Sequence, residues 1–168
     1  MDNQTTGILG VGNYLMKDEG FGCHVISYIE KNMKIPQGIE ILDGGSAGIQ
    51  LLPFFRNCNR LLIIDAIKME EPPGTLVTFS KSDFQTVAHG QRTSPHQIGI
   101  LELLAIMEFD GSMPDTSFLC AVPKEISEGV ELTPELQAQV PRAADHALAW
   151  ATKKQNIFNG MDIQTNNG

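Results

Sequence analysis

Short apolar runs alternate with helical patterns along the first half of the chain. Strand-like runs occupy residues 8–11 (ILGV), 39–42 (IEIL) and 61–64 (LLII). Because each run is apolar on both faces, we expect helices to cover both sides of the sheet that they form. Amphipathic patterns fill the two intervals, over residues 18–33 and 49–55. The order βαβαβ predicts three parallel strands.

The second half of the chain predicts two more strands and another long helix. The run 75–79 (TLVTF) follows the third strand after too few residues for a helical crossover, so we expect it to return antiparallel. The polar stretch 80–94 predicts at most two turns of helix, and a strong helical pattern begins at Pro95. The run 117–122 (SFLCAV) predicts a buried strand beside the third one.

A closing amphipathic helix is predicted over residues 133–154, with Pro134 in its first turn and a kink at Pro141. Together these elements predict a single α/β domain over residues 1–155. It is expected to be a three-layer sandwich, in which helices cover both faces of a twisted, mostly parallel five-stranded sheet with one antiparallel strand. The polar segment 156–168 is predicted to be a flexible tail.

The composition fits one globular domain and argues against several kinds of partner. Among 168 residues, 20 acidic and 12 basic side chains give a formal net charge of −8. Such a chain lacks the basic surface that binds nucleic acid or an anionic membrane. Three scattered cysteines without a C-x-x-C pair argue against a zinc ribbon or a disulfide framework. A polar N-terminus and the lack of a long apolar run predict a cytoplasmic protein.

Acidic residues follow each of the three predicted parallel strands. Glu19 lies in the first helical turn after strand one, Asp43 ends strand two and Asp65 ends strand three. Ligands of open α/β sheets bind beyond the carboxyl ends of the strands, so we expect these acids at one rim. Crowded carboxylates repel a phosphate and attract a cation. The glycines at 10–12 therefore do not predict a nucleotide site, since Leu15 also replaces the third glycine of G-x-G-x-x-G.

His96 offers a nitrogen ligand for such a cation. The segment 93–99 (TSPHQIG) predicts the start of a helix with a capping box, which places His96 in the first turn. The helix dipole at that position predicts a neutral imidazole, which is the form that binds metal. Glu19, Asp65 and His96 would make a mixed oxygen and nitrogen site with open positions, suited to Ni²⁺ or Zn²⁺.

Other interpretations of these residues stay open at this point. Any one of the acids can be a structural residue at a helix N-terminus, and Asp18 is interpreted mainly as a cap. His96 can be a solvated residue of a first helical turn. Cys23, next to His24, is a further candidate for a Cys–His nucleophile, although adjacent helical side chains point about 100° apart.

Six segments occur in the order and at the spacing of a known family. They are LGVGNYLMKDEGFG (9–22), EILDGGSAGIQLL (40–52), LLIIDAI (61–67), PPGT (72–75), SPHQIGI (94–100) and GVELTP (129–134). With them the chain resembles the nickel–iron hydrogenase maturation endopeptidases over nearly its whole length. The resemblance implies a monomeric, cytoplasmic protease. Its partner would be the precursor of the hydrogenase large subunit, from which it removes a C-terminal extension after the nickel–iron centre has been installed.

The resemblance also implies roles for particular residues. The three candidate metal ligands match positions that engage nickel already held by the precursor, so no tightly bound cofactor is expected, and zinc or another divalent ion can occupy the site in vitro. Asp43 matches a position associated with activity and is the candidate general base, with Gly44 and Gly45 beside it as candidates for substrate binding. The chain departs from the family at Lys124, which precedes Glu125 where relatives commonly have a proline and then an acid.

The sequence is compatible with more than one mechanism and with more than one class of protein. Nickel could polarise the scissile carbonyl or activate a water, or Asp43 could act as the general base on a water. A self-sufficient hydrolase with its own zinc is a second hypothesis. A non-catalytic, metal-dependent chaperone of the large subunit is a third. The departure at Lys124 would change the choice among hydrogenase isoenzymes if that segment contacts the precursor.

Overall fold

A twisted sheet with helices on both faces forms the frame of the protein. The structure is a computed structural model that describes residues 4–90, 94–153 and 162–164. The strands are β1 (Thr6–Val11), β2 (Ile39–Gly45), β3 (Arg60–Ala66), β4 (Leu76–Ser80), β5 (Asp115–Ala121) and β6 (Asp162–Gln164). The helices are α1 (Phe21–Asn32), α2 (Leu52–Asn57), α3 (Lys81–His89), α4 (Pro95–Asp110), α5 (Pro134–Gln137) and α6 (Val140–Thr152). Short 3₁₀ turns, Lys17–Gly20 and Ile49–Leu51, precede α1 and α2.

The strand order confirms the predicted topology. The order is β2–β1–β3–β5–β4–β6, and the first four of these strands are parallel. Strand β4 returns antiparallel to β5, and β5 lies beside β3, as the sequence predicted. The carboxyl ends of β1, β2, β3 and β5 therefore lie at one edge of the sheet, which is where an open α/β fold binds its ligands.

Two hydrophobic clusters, one on each face of the sheet, confirm the three-layer architecture. On one face, α1 contributes Phe21 and Ile29, and α6 contributes Trp150, all fully or almost fully buried. On the other face, Phe55 of α2 and Leu104 of α4 pack together with buried residues of α3. The β-strands are thus covered on both sides, as their continuous apolar runs indicated.

The polar stretch after β4 contains more helix than the sequence predicted. Instead of at most two turns, α3 spans nine residues. Ser80 caps this helix, since its hydroxyl oxygen accepts a hydrogen bond from the Asp83 amide at 3.2 Å. Phe84 and Ala88, one turn apart, are buried against the sheet. Two apolar positions and one cap are therefore enough to hold a largely polar helix.

The closing helix is interrupted, and the kink predicted at Pro141 is wrong. Helix α5 ends at Gln137, and α6 begins at Val140 with Pro141 in its first turn. A proline is tolerated there because its missing N–H would have no partner within the helix. Pro141 therefore starts a second helix.

A sixth strand adds to the five that the sequence predicted. Residues 162–164 form β6, which pairs antiparallel with β4. They come from the segment 156–168 that the sequence predicted to be a flexible tail. The other residues of that segment lie outside the described residues.

Glycines let α1 approach the sheet closely enough to fix the position of Glu19. A Cβ atom at Gly22 would lie 2.1 Å from the carbonyl oxygen of Ile64. At Gly12, where φ is +140°, a Cβ would lie 1.9 Å from the carbonyl oxygen of Glu19. The glycine-rich segment therefore serves close packing of turn, helix and strand.

Candidate active site

Glu19, Asp65 and His96 meet in one buried cluster at the carboxyl edge of the sheet. His96 Nδ1 lies 3.0 Å from Glu19 Oε1, and His96 Nε2 lies 3.0 Å from Asp65 Oδ1. The side chains of His96, Glu19 and Asp65 are 2%, 10% and 2% exposed. The convergence that the sequence predicted for these three residues is found in the structure.

The start of α4 holds the cluster in place. Gln97 accepts a hydrogen bond from the Ser94 amide at 3.3 Å, as the predicted capping box requires. Its Nε2 also donates to the carbonyl oxygen of Ala66 at 2.9 Å and to Asp65 Oδ2 at 3.4 Å. The Ser94 hydroxyl lies 2.9 Å from His96 Nδ1. The sequence predicted a capping box in the segment 93–99, but it did not indicate that Ser94 and Gln97 also position the cluster.

The carboxylate of Asp65 is fixed by backbone and side-chain donors together. Asp65 is the sixth residue of β3, and its Oδ1 accepts a hydrogen bond from the Ala66 amide at 2.7 Å. Both of its oxygens lie within 3.2 Å of His96 Nε2. Such a carboxylate presents a defined orientation to any cation that enters the site.

His96 carries a positive charge more readily than the sequence predicted. Burial by itself lowers the pKa of His96, but the nearby Asp65 carboxylate, and after it Glu19, outweigh burial and raise that pKa above its ordinary value. The two carboxylates therefore oppose the effect of the helix dipole, from which the sequence predicted a neutral imidazole.

The three side chains do not form a ready metal-chelating cluster in this arrangement. Within residues 4–90, 94–153 and 162–164, no group of three His, Cys, Asp or Glu side chains is placed to hold a metal ion. Glu19 and Asp65 contact opposite nitrogens of the His96 ring, so an ion at one nitrogen faces only one carboxylate. The donor set of two oxygens and one nitrogen suits a borderline divalent ion once one of these groups moves.

Asp43 lies at the same edge of the sheet but apart from the cluster. It is exposed, and its Oδ1 accepts a hydrogen bond from the Gly45 amide at 3.0 Å. Among the described residues, no hydrogen bond joins Asp43 to the three clustered side chains. Gly44 is buried, and a Cβ there would lie 2.8 Å from Leu9 Cδ1, while Gly45 has a φ of +50°. Close packing thus favours a glycine at position 44 and the backbone conformation favours one at position 45. Their contact with substrate stays a prediction.

Cys23 is a buried thiol and is not poised as a nucleophile. Burial, and then the nearby Asp43 carboxylate, raise the pKa of Cys23 to about 12, and the thiol donates to the carbonyl oxygen of Gly12 at 3.6 Å. The ring of His24 is stacked on Tyr14, with ring centroids 5.0 Å apart, and His24 Nε2 lies 3.1 Å from the carbonyl oxygen of Val130. The Cys–His pair considered from the sequence therefore has neither a thiolate nor the base contact that would generate one.

Asp18 has a structural role that the sequence could not indicate. It is fully buried, and its carboxylate accepts hydrogen bonds from the amides of Lys124, Glu125 and Thr133 at 2.9, 3.0 and 2.8 Å. The Thr133 hydroxyl donates to the same carboxylate. Since it makes no capping bond to its own helix, the interpretation of Asp18 as a cap is wrong. It fixes the segment 122–133 beside the cluster.

Comparison with known proteins identifies the family. A family model for hydrogenase maturation proteases matches residues 23–150. This chain belongs to the hydrogenase maturation protease family. The hydrogenase 2 maturation protease of Escherichia coli K12 is 34% identical over 144 residues, covering 84% of this chain and 87% of that protein. The hydrogenase expression/formation protein HupD of Rhodobacter capsulatus is 32% identical over 158 residues, covering 93% and 73%.

Solved structures of such proteases share the fold. The hydrogenase maturating endopeptidase HybD of Escherichia coli superposes with a TM-score of 0.81 and 32% identity, covering 87% of this chain and 91% of that one. The nickel–iron hydrogenase maturation protease HybD of Thermococcus kodakarensis gives a TM-score of 0.74 at 29% identity, covering 89% and 100%. As a hydrogenase maturation protease, the protein is a peptide-bond hydrolase, which argues against the non-catalytic chaperone. Among the described residues, no helix has the length and apolar character needed to span a bilayer.

Proposed function

We propose that this maturation protease removes the C-terminal extension of the nickel–iron hydrogenase large-subunit precursor, and that it recognises nickel already inserted in that precursor. Glu19, Asp65 and His96 would engage the metal. The observation that carries this proposal is the buried cluster of two carboxylates and one imidazole at the edge where α/β folds bind ligands. His96, a buried group whose pKa is raised by neighbouring carboxylates, has the properties of a candidate functional residue.

The charge balance of the cluster supports a cation as its ligand. When the imidazole between Glu19 and Asp65 is protonated, it offsets part of their negative charge. A divalent ion can replace that proton, because neutral imidazole and carboxylate are both ligands for nickel and zinc. Because the nickel arrives as part of the substrate, the protease needs no tightly bound cofactor of its own. Zinc or another divalent ion would then fill the site only in vitro.

The residues leave two routes for hydrolysis of the peptide bond. In the first, the metal of the precursor polarises the scissile carbonyl or activates a water, and the cluster positions that metal. In the second, Asp43 takes a proton from the attacking water, which its exposure at the same edge permits. Asp43→Asn distinguishes them. Loss of a general base lowers kcat by about 10²-fold or more, whereas a structural Asp43 leaves kcat of the folded variant nearly unchanged.

A processing assay tests the proposed function. Purified protein is mixed with nickel-loaded precursor, and the shortened large subunit is detected by mass spectrometry. We expect His96→Ala to abolish cleavage while its circular dichroism stays unchanged. The matched control is His89→Ala, since His89 is an exposed residue at the end of α3 and should leave cleavage intact. Normal processing by His96→Ala would remove the cluster from the mechanism.

The same preparation tests the zinc hydrolase hypothesis and the oligomeric state. Stoichiometric zinc in the purified protein, with activity lost on chelation and restored by zinc, would favour a self-sufficient hydrolase over recognition of nickel in the precursor.

We propose that the protein acts as a cytoplasmic monomer. Sedimentation should therefore give the chain mass of 18.4 kDa, and a dimer mass would contradict this.

A further inference from the structure

Exposed apolar side chains are concentrated at the end of the protein that carries the cluster. Among the described residues, seven large apolar side chains are exposed: Tyr14, Leu15, Ile49, Ile98, Ile106, Phe109 and Val130. Five of them lie in the connections at the carboxyl edge of the sheet or in the turn of α4 that carries His96. The other two, Ile106 and Phe109, lie towards the far end of α4. Their concentration near the cluster points to an interaction surface.

Four of these residues, Tyr14, Leu15, Ile49 and Val130, form what we call the apolar rim. They are 48%, 64%, 54% and 47% exposed, respectively, and belong to neither hydrophobic cluster of the core. The Gly129 amide donates to the carbonyl oxygen of Leu15 at 2.9 Å, which joins the segment of Tyr14 and Leu15 to the segment of Val130.

The ring of His24 holds one side of the rim together. It stacks on Tyr14 and contacts the carbonyl oxygen of Val130 at 3.1 Å. Burial lowers the pKa of His24, so the ring is neutral near pH 7 and adds no charge to the apolar surface. Tyr14, Leu15 and Val130 are therefore a supported surface, built from two segments that are distant in sequence.

The residues of the apolar rim lie in chain segments next to those that hold the cluster. Tyr14 and Leu15 lie in the connection from β1 to the turn that carries Glu19, and Val130 lies in the segment that Asp18 fixes. Ile49 follows β2, whose end carries Asp43. Because Glu19, Asp65 and His96 are themselves buried, a partner that reaches them contacts these connections first.

We propose that the apolar rim is the surface on which the folded large-subunit precursor docks, through apolar side chains around the opening of its metal centre. This inference rests on the proposed function. The rim comes from three separate connections of the chain, so it matches a broad folded surface better than a single extended peptide, which occupies one groove. A few apolar anchors at the centre of such a surface carry most of the binding energy.

Steady-state cleavage of nickel-loaded precursor by surface variants tests the docking role. Leu15→Gln removes the most exposed residue of the rim without adding charge, and Val130→Thr keeps the shape of the side chain. We expect the two changes together to raise KM by about tenfold with kcat within about twofold, since docking contacts act before the chemical step. The matched control is Phe109→Gln, a residue that is 95% exposed and lies about 20 Å from His96 along α4. It should leave KM unchanged.

The outcomes separate this inference from the proposed function. If unaltered protein cleaves the precursor while the rim variant shows the same KM, the docking surface is wrong and the proposed function stands. An equal rise of KM in Phe109→Gln would also overturn it. If unaltered protein fails to cleave the precursor, the proposed function fails. Faster sedimentation of the precursor in the presence of inactive His96→Ala, lost when the rim changes are added, would then still support docking. Dimers of the protease that dissociate in the rim variant, with KM unchanged, would assign the rim to a second copy instead.

Discussion

Asp18→Asn is expected to destabilise the protein strongly although it changes only one atom. In the structure, Oδ2 of Asp18 accepts from the amides of Lys124 and Glu125, and Oδ1 accepts from the amide of Thr133. An asparagine has one oxygen and one NH₂ group. In either orientation of the amide, an NH₂ donor faces at least one backbone N–H donor, so either the buried Thr133 amide or the two half-buried amides of Lys124 and Glu125 lose their acceptor.

The magnitude follows from the number of donors left unpaired. Each buried, unsatisfied backbone group costs about 1–3 kcal/mol. Asp18→Asn leaves one or two such groups unpaired and removes the charge on the acceptor. We therefore expect the free energy of unfolding to fall by about 2–4 kcal/mol. For a chain of this length, the melting temperature should fall by about 5–15 °C.

Urea unfolding, followed by circular dichroism, measures this change. The matched control is Asp145→Asn, at an exposed position of α6, where we expect a change within about 0.5 kcal/mol. If Asp18→Asn unfolds at the same urea concentration as the unaltered protein and with the same slope, the account of Asp18 as the anchor of residues 122–133 is refuted.

Three further predictions concern the cluster and its neighbours. By NMR titration, His96 should titrate above the ordinary value of 6.5, and Glu19→Gln should lower its pKa. Because the folded-state pKa is raised, the stabilisation from His96 is fully present below about pH 6.5 and is lost as the pH rises through that higher value, which unfolding at several pH values checks. Cys23→Ala should keep its cleavage rate, since a thiol with a pKa of about 12 is not a nucleophile at neutral pH, and an inactive, folded variant would contradict this. Gly22→Ala should destabilise by about 3 kcal/mol or more in urea, because the new Cβ meets a carbonyl oxygen of β3 at 2.1 Å.

The regular elements of the fold were predictable because their signals are local. Continuous apolar runs identified the five main strands, and the short link before β4 implied its antiparallel direction. Helix α3 was underestimated because only Phe84 and Ala88 are buried in it. Its local signal, Ser80 followed three residues later by Asp83, was present in the sequence and predicts a helix start.

The sequence predicted which residues form the candidate site, but it did not predict how their side chains are arranged. Strand ends and a helix start brought Glu19, Asp65 and His96 to one edge of the sheet, as chain topology requires. The sequence could not indicate that the imidazole lies between two carboxylates, because ring orientation depends on contacts made across the sheet. The partners of Asp18 are 106 to 115 residues away in the chain, so no local pattern reports them.

Dependence of cleavage on nickel in the substrate tests whether Glu19, Asp65 and His96 recognise the metal of the precursor. The same precursor is prepared with and without nickel, and its processing by the unaltered protein is followed by mass spectrometry. We expect the nickel-loaded precursor to be shortened and the nickel-free precursor to stay intact. Equal cleavage of both precursors would show that Glu19, Asp65 and His96 do not recognise the metal, and would contradict the account.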